Sequence, residues 1–173
     1  MNLLNNMMMK KLMFVMVMMC LALTTNAQDV YNELLSSSIK VAEDETKDIE
    51  TRKIATFKYD ELNYMKQMVL PEVLKDTTDL VTMNRVIKQL NEQSYAMYQF
   101  INLFFQRLAS TNKKDGKEAV LALFKAASIN NPMFNDTDKD LVLAYYNNDN
   151  YITQFSLDTD WVKALEDVKR REK

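Results

Sequence analysis

The chain has 173 residues, with 22 Lys and Arg against 24 Asp and Glu, no histidine, one cysteine, one glycine and two prolines. Without histidine, and with the single cysteine at position 20, Ser-His-Asp triads and Cys/His zinc sites are excluded. A lone glycine excludes phosphate-cradling loops and argues against the tight turns of a β-rich fold. The charge balance, with no basic stripe interleaved with aromatics, gives no reason to expect nucleic acid as a partner.

In chain order, the first segment predicts export. Lys10 and Lys11 precede an unbroken apolar run from Leu12 to Leu23. Thr25 and Ala27 then supply small residues at the −3 and −1 positions before Gln28. That order is the secretory pattern, and the run is too short for a bilayer, which takes about 20 residues. Residues 1–27 are therefore read as a cleavable signal peptide and residues 28–173 as the mature chain, periplasmic or extracellular. Met9 would equally serve as its start. A lipid anchor at Cys20 is not expected, because Met19 is not the small residue that lipidation needs. The mature chain has no Cys, so packing alone must hold it, and its net charge is negative.

A first helix is predicted from Val30 into the forties, with Val30, Leu34, Leu35, Val41 and Ala42 on one face. The charged stretch Glu43–Lys53 follows, with Glu43/Lys47 and Asp48/Arg52 spaced as favourable i,i+4 pairs on a solvated helix or linker. A second helix is predicted over Ile54–Val69, stopping where Pro71 disfavours helix at Leu70. Lys58 and Glu61 fall inside its apolar arc. Buried charges need partners, so this polar pair is read first as structural and second as a weak candidate site.

Asp79 to about Ser110 predicts the longest helix. Leu80, Met83, Ile87, Leu90, Ser94, Met97, Ile101, Phe104 and Leu108 alternate by three and four, with Ser94 alone breaking the apolar rule. Tyr98, Phe100 and Phe105 widen the stripe, which places this helix at the centre of a bundle and leaves a homodimer seam open as an alternative. A fourth helix is bracketed by Asp115 and Glu118, spaced like a capping box, and by Asn130-Asn131-Pro132. A fifth runs from about Thr137 to Asn147. Ahead of it, Asp136-Thr137-Asp138-Lys139-Asp140 matches the opening of a calcium loop. Leu141 stands where that loop needs glycine and Asn147 where it needs a bidentate glutamate, so the acids are read as caps. Periodicity does not decide Tyr151–Leu157. The last helix is predicted from Asp158 or Thr159, burying Trp161, Leu165 and Val168, with Lys169-Arg170-Arg171 suited to its negative end.

The reading is thus all-α: one bundle of about five to six helices around a long central one, spanning 28–173. The ending Thr24-Thr25-Asn26-Ala27-Gln28, with stretches such as Ile54-Ala55-Thr56-Phe57-Lys58 and Ser156-Leu157-Asp158-Thr159-Asp160-Trp161, resembles small exported helical proteins of anaerobic Gram-negative bacteria. The resemblance implies a compartment and an origin, and carries over no functional residue. No catalytic, cofactor or metal motif is present. The function expected is a non-enzymatic interaction or structural module of the cell envelope or extracellular space, with a protein partner. The alternatives are a carboxylate-based enzyme resting on Lys58 and Glu61, or an apolar-ligand carrier with helices splayed around Phe100, Phe104 and Phe105.

Overall fold

The computed structural model describes residues 29–171; the predicted signal, its cleavage site and Cys20 lie outside the described residues. Within them the chain is all-helical, with no strand. The elements are α1 (Val30–Glu43), α2 (Ile49–Lys75), α3 (Leu80–Ser110), α4 (Lys114–Ile129), the single turn α5 (Lys139–Val142) and α6 (Trp161–Arg171).

Aspartates punctuate this chain where glycines are missing. Asp29, Asp48, Asp79 and Asp138 each cap a helix by accepting a backbone N–H two or three residues on. Asp160 does the same for Lys163 at 3.2 Å as α6 begins. Between helices, Asp44 and Asp76 fold back to accept the N–H groups of Thr46 at 3.0 Å and Thr78 at 2.9 Å. The carboxylate closes each turn on the residue two positions on, with an ordinary negative φ that needs no glycine. The hydroxyls of the same threonines donate as well, holding both carboxyls below their usual range.

Several predicted boundaries are corrected. The second helix does not stop at Pro71 but begins at Ile49 and continues to Lys75. Pro71 removes one hydrogen bond on the exposed side, while Val69 and Val73, four residues apart, are both 1 % exposed and hold the last turns against the core. Packing outweighs a local preference. The first helix ends at Glu43, so Glu43 and Lys47 do not form the predicted pair, and Asp48 caps Thr51 instead of reaching Arg52. Arg52 donates to the Ala42 carbonyl across the turn. The predicted capping box of α4 is absent, since α4 starts at Lys114 with no side-chain cap. A Cβ at Gly116 would collide with the Thr111 methyl, so any other residue there requires the Thr111 side chain to shift. The fifth helix is one turn, and the sixth starts at Trp161, later than predicted.

The 31 residues of α3, about 46 Å at 1.5 Å per residue, form the axis of the bundle. It packs against α1, α2, α4 and α6. From Met83 onward its stripe packs inside the chain, with Ile87 and Leu108 only partly covered, and Ser94 satisfies its hydroxyl on the Leu90 carbonyl at 2.6 Å. The core centres on Phe57, Phe100, Phe104, Phe124, Phe155 and Trp161, none with measurable exposure. Their rings meet edge to face, for example Phe100 with Trp161 at 5.3 Å and with Phe124 at 5.0 Å. That geometry sets the positive ring edge against the negative face.

Candidate functional site

Buried polar side chains concentrate in one irregular segment, which holds Thr153, Gln154, Ser156, Asp158 and Thr159. Residues 153–159 have no helical hydrogen bonding, yet every one is buried. Such a strand of backbone is tolerated inside a core only if each polar group finds a partner. The Leu157 N–H donates to the Val142 carbonyl at 2.9 Å and the Ser156 N–H to Ser128 Oγ at 2.9 Å. Asp158 is the anchor. Its Oδ1 accepts the N–H groups of Met133 and Phe134 at 2.9 and 2.8 Å, and its Oδ2 that of Asp136 at 2.9 Å. The 133–136 loop thereby wraps one carboxylate.

Gln93 on α3 then ties α6 to the centre. Its Oε1 accepts the Trp161 N–H at 2.7 Å, and its Nε2 donates to Asp160 Oδ1 at 2.9 Å. Burial would raise the Asp160 pKa, but the bonds from Gln93 and Lys163 outweigh it and hold the group below the usual carboxylate range.

Glu61 and Lys58, singled out in the sequence, are both drawn inward but do not meet. Glu61 is wholly buried; its Oε1 accepts Trp161 Nε1–H at 2.8 Å, and its Oε2 has no hydrogen-bond partner among the described residues. Burial pushes its pKa well above the ordinary value. The nearby Asp158 charge adds to the rise, and the Trp161 bond opposes it. The group is thus an enclosed carboxyl that favours its neutral form. Lys58 faces the other way, with Nζ 5.6 Å from the Tyr98 ring centre. No carboxylate among the described residues pairs with it, and burial lowers its pKa.

Lys58 lines a chamber of about 250 Å³ between α1, α2 and α3, walled by Leu34, Ile54, Ile101 and Phe105. Leu34, Ser37 and Tyr98 also line a wider groove of about 900 Å³ between α1 and α3, which takes in Asn32, Lys40 and Tyr95. Chamber and groove are therefore neighbours, separated by those three side chains. Tyr95 and Tyr98, 51 % and 41 % exposed, stand on its rim. Position 98 was legible as the flank of the α3 stripe; Tyr95 carried no signal in the sequence, because its importance depends on where α1 lies.

The remaining candidates have structural partners. Asp136 accepts the Asp138 N–H and the Tyr64 hydroxyl, and Asp138 caps Leu141. Arg170 and Arg171 both grip Asp167, at 2.6 and 2.8 Å. Of the aromatics in the last third, Phe155 and Trp161 are core, while Tyr145 stacks on Phe57 and Tyr151 and donates its hydroxyl to Asp60.

By fold, then, the chain is an all-α bundle with a closed aromatic core and an open groove along α1 and α3. Nothing matches it among family models, curated proteins or solved structures. No helix among the described residues is long and apolar enough to cross a membrane.

Proposed function

We propose that this is a non-enzymatic interaction module of the cell envelope or extracellular space, which binds a protein partner along the α1–α3 groove. The observation that carries this reading is the contrast between aromatics. Six large rings close the core, yet Tyr95 and Tyr98 are left exposed on the rim of the groove. Tyrosine offers an apolar face and a polar tip at low entropic cost, which is why it is enriched at interfaces. The compartment rests on residues 1–27, with their Lys-Lys start, apolar run and small-residue exit.

Two placements weigh against the alternatives. Acid–base work by Lys58 and Glu61 needs both within reach of one reacting atom, and Glu61 is shut behind Trp161. A carrier splayed around Phe100, Phe104 and Phe105 needs space between the three; Phe100 and Phe104 already touch Phe124 and Phe155, and Phe105 packs on Phe104 and borders the chamber with one side only.

The test is capture from the envelope of the cells that make the protein, comparing the tagged wild type with a Tyr95→Ala/Tyr98→Ala variant. One stoichiometric partner is expected with the wild type and is lost with the variant. The variant should lose no more than about 1–2 kcal/mol, because Tyr98 also covers Lys58, and urea unfolding checks that it is folded under the capture conditions. A clean preparation without any partner, or equal capture by both proteins, sinks the reading.

A further inference from the structure

The chamber beside the groove poses a specific problem of charge. The Lys58 ammonium carries three N–H donors. Among the described residues it has no carboxylate and no hydrogen-bond acceptor, and its one electrostatic neighbour is the Tyr98 ring face. Among the described residues it is also the only charged one lining the chamber, whose apolar walls at Leu34, Ile54, Ile101 and Phe105 are broken by Ser37, Ser38, Thr51 and Asn102. A half-buried cation without a counter-charge is costly, and in a chamber of mixed walls the cost is relieved by an anion that carries its own apolar group. A single ammonium matches a monoanion better than a phosphate, which calls for several donors or a guanidinium fork.

Size and surroundings narrow the anion further. At roughly 30 Å³ per water-sized group, the 250 Å³ chamber holds on the order of eight such groups. That is a carboxylate with a side chain the size of leucine. Beside it, the groove offers Asp29, Glu33, Lys40, Asn32 and the two tyrosines. Polar groups of both signs between aromatic faces suit a peptide backbone better than a bare alkyl chain.

We infer that the groove receives the C-terminus of the partner polypeptide, with its terminal carboxylate on Lys58 and its last, apolar side chain in the chamber. This rests on the interaction reading above and names the part of the partner that is recognised. Capture of a terminal carboxylate together with a side-chain pocket is an established mode of peptide recognition.

Fluorescence anisotropy tests it on the protein purified after export, using labelled hexapeptide pools that end in Leu, Ile, Phe or Asp. Each pool is made as the free acid and as the C-terminal amide. The free acids ending in Leu, Ile or Phe should bind at least about tenfold tighter than their amides, the difference expected for a charge-assisted bond. The pool ending in Asp should bind weakly in both forms. Lys58→Met should erase the preference for acid; the acid–amide comparison on the wild type stands even if that variant folds poorly. Equal binding of acid and amide, or none up to about 1 mM, overturns the inference. So does displacement of the peptide by octanoate at matching concentration, which would make a small amphiphile the ligand. Equal binding of acid and amide, with the envelope partner still lost in the tyrosine variant, removes the terminal-carboxylate assignment and leaves the interaction reading intact.

Discussion

Glu61→Gln separates the two things a buried carboxyl does in this core. The wild-type side chain accepts the Trp161 indole N–H at 2.8 Å, while its second oxygen meets no partner among the described residues. Glutamine keeps the acceptor and the volume but cannot ionise. In the folded protein the Glu61 pKa is raised, chiefly by burial, whereas in the unfolded chain it returns to about 4.5. A raised folded pKa means that the unfolded state gives up its proton first. The stability attached to the neutral carboxyl is therefore complete below pH 4.5 and is lost as pH climbs toward the folded pKa. Within that window the wild type should lose about 1.4 kcal/mol per pH unit relative to Glu61→Gln. Below pH 4 the two should agree within about 1 kcal/mol, since the Trp161 bond survives in both. Trp161 is the chain's one tryptophan, so urea unfolding followed by its fluorescence reads the core directly. Parallel pH profiles for the two proteins would refute the reasoning, because they would mean that the carboxyl is already solvated in the folded state.

Two further outcomes follow from the same geometry. Asp158→Asn should cost about 2–3 kcal/mol in urea unfolding, because an amide NH₂ cannot accept one of the loop N–H groups that the carboxylate now holds, and bonds to a charged group are worth about 1.5–3 kcal/mol. Pro71→Ala should stabilise the protein by about 1–2 kcal/mol: it restores an N–H to the interior of α2, where proline costs about 3 kcal/mol, partly offset by the freer unfolded chain. An unchanged midpoint for Pro71→Ala would show that the local backbone has already absorbed the missing bond.

Composition and periodicity made the fold class legible. One glycine and a nine-position stripe on residues 80–108 require a long central helix, and α3 is that helix. What they misplaced were ends. A helix end is decided by a difference of a kcal/mol or so between local preference and tertiary contact, and Val73 tips that difference past Pro71. The D-x-D run at 136–140 was legible as capping because its residues fail the calcium pattern at definite positions. The buried segment 153–159 was not legible at all. Its residues alternate in no helical or strand period, and its burial depends on Ser128, Val142 and the 133–136 loop, which lie up to 31 residues away in sequence.

The candidate site shows the same division more sharply. Lys58 was visible as a charge on an apolar arc, and the natural inference was to pair it with Glu61 one turn on. A helix wheel places side chains around an axis but cannot say which neighbour each sector meets. In the structure α2 is wedged between two environments: the sector at Glu61 meets Trp161 in the core, and the sector at Lys58 opens on α1 and Tyr98. One neutral carboxyl therefore serves the core, and one unpaired ammonium is left at a groove. A charge that the fold needed would have been given a partner by the fold, as Asp158 was with three backbone N–H groups. Lys58 was given an aromatic face and an open chamber, and that difference in treatment is the physical ground for looking outside the chain for its counter-ion.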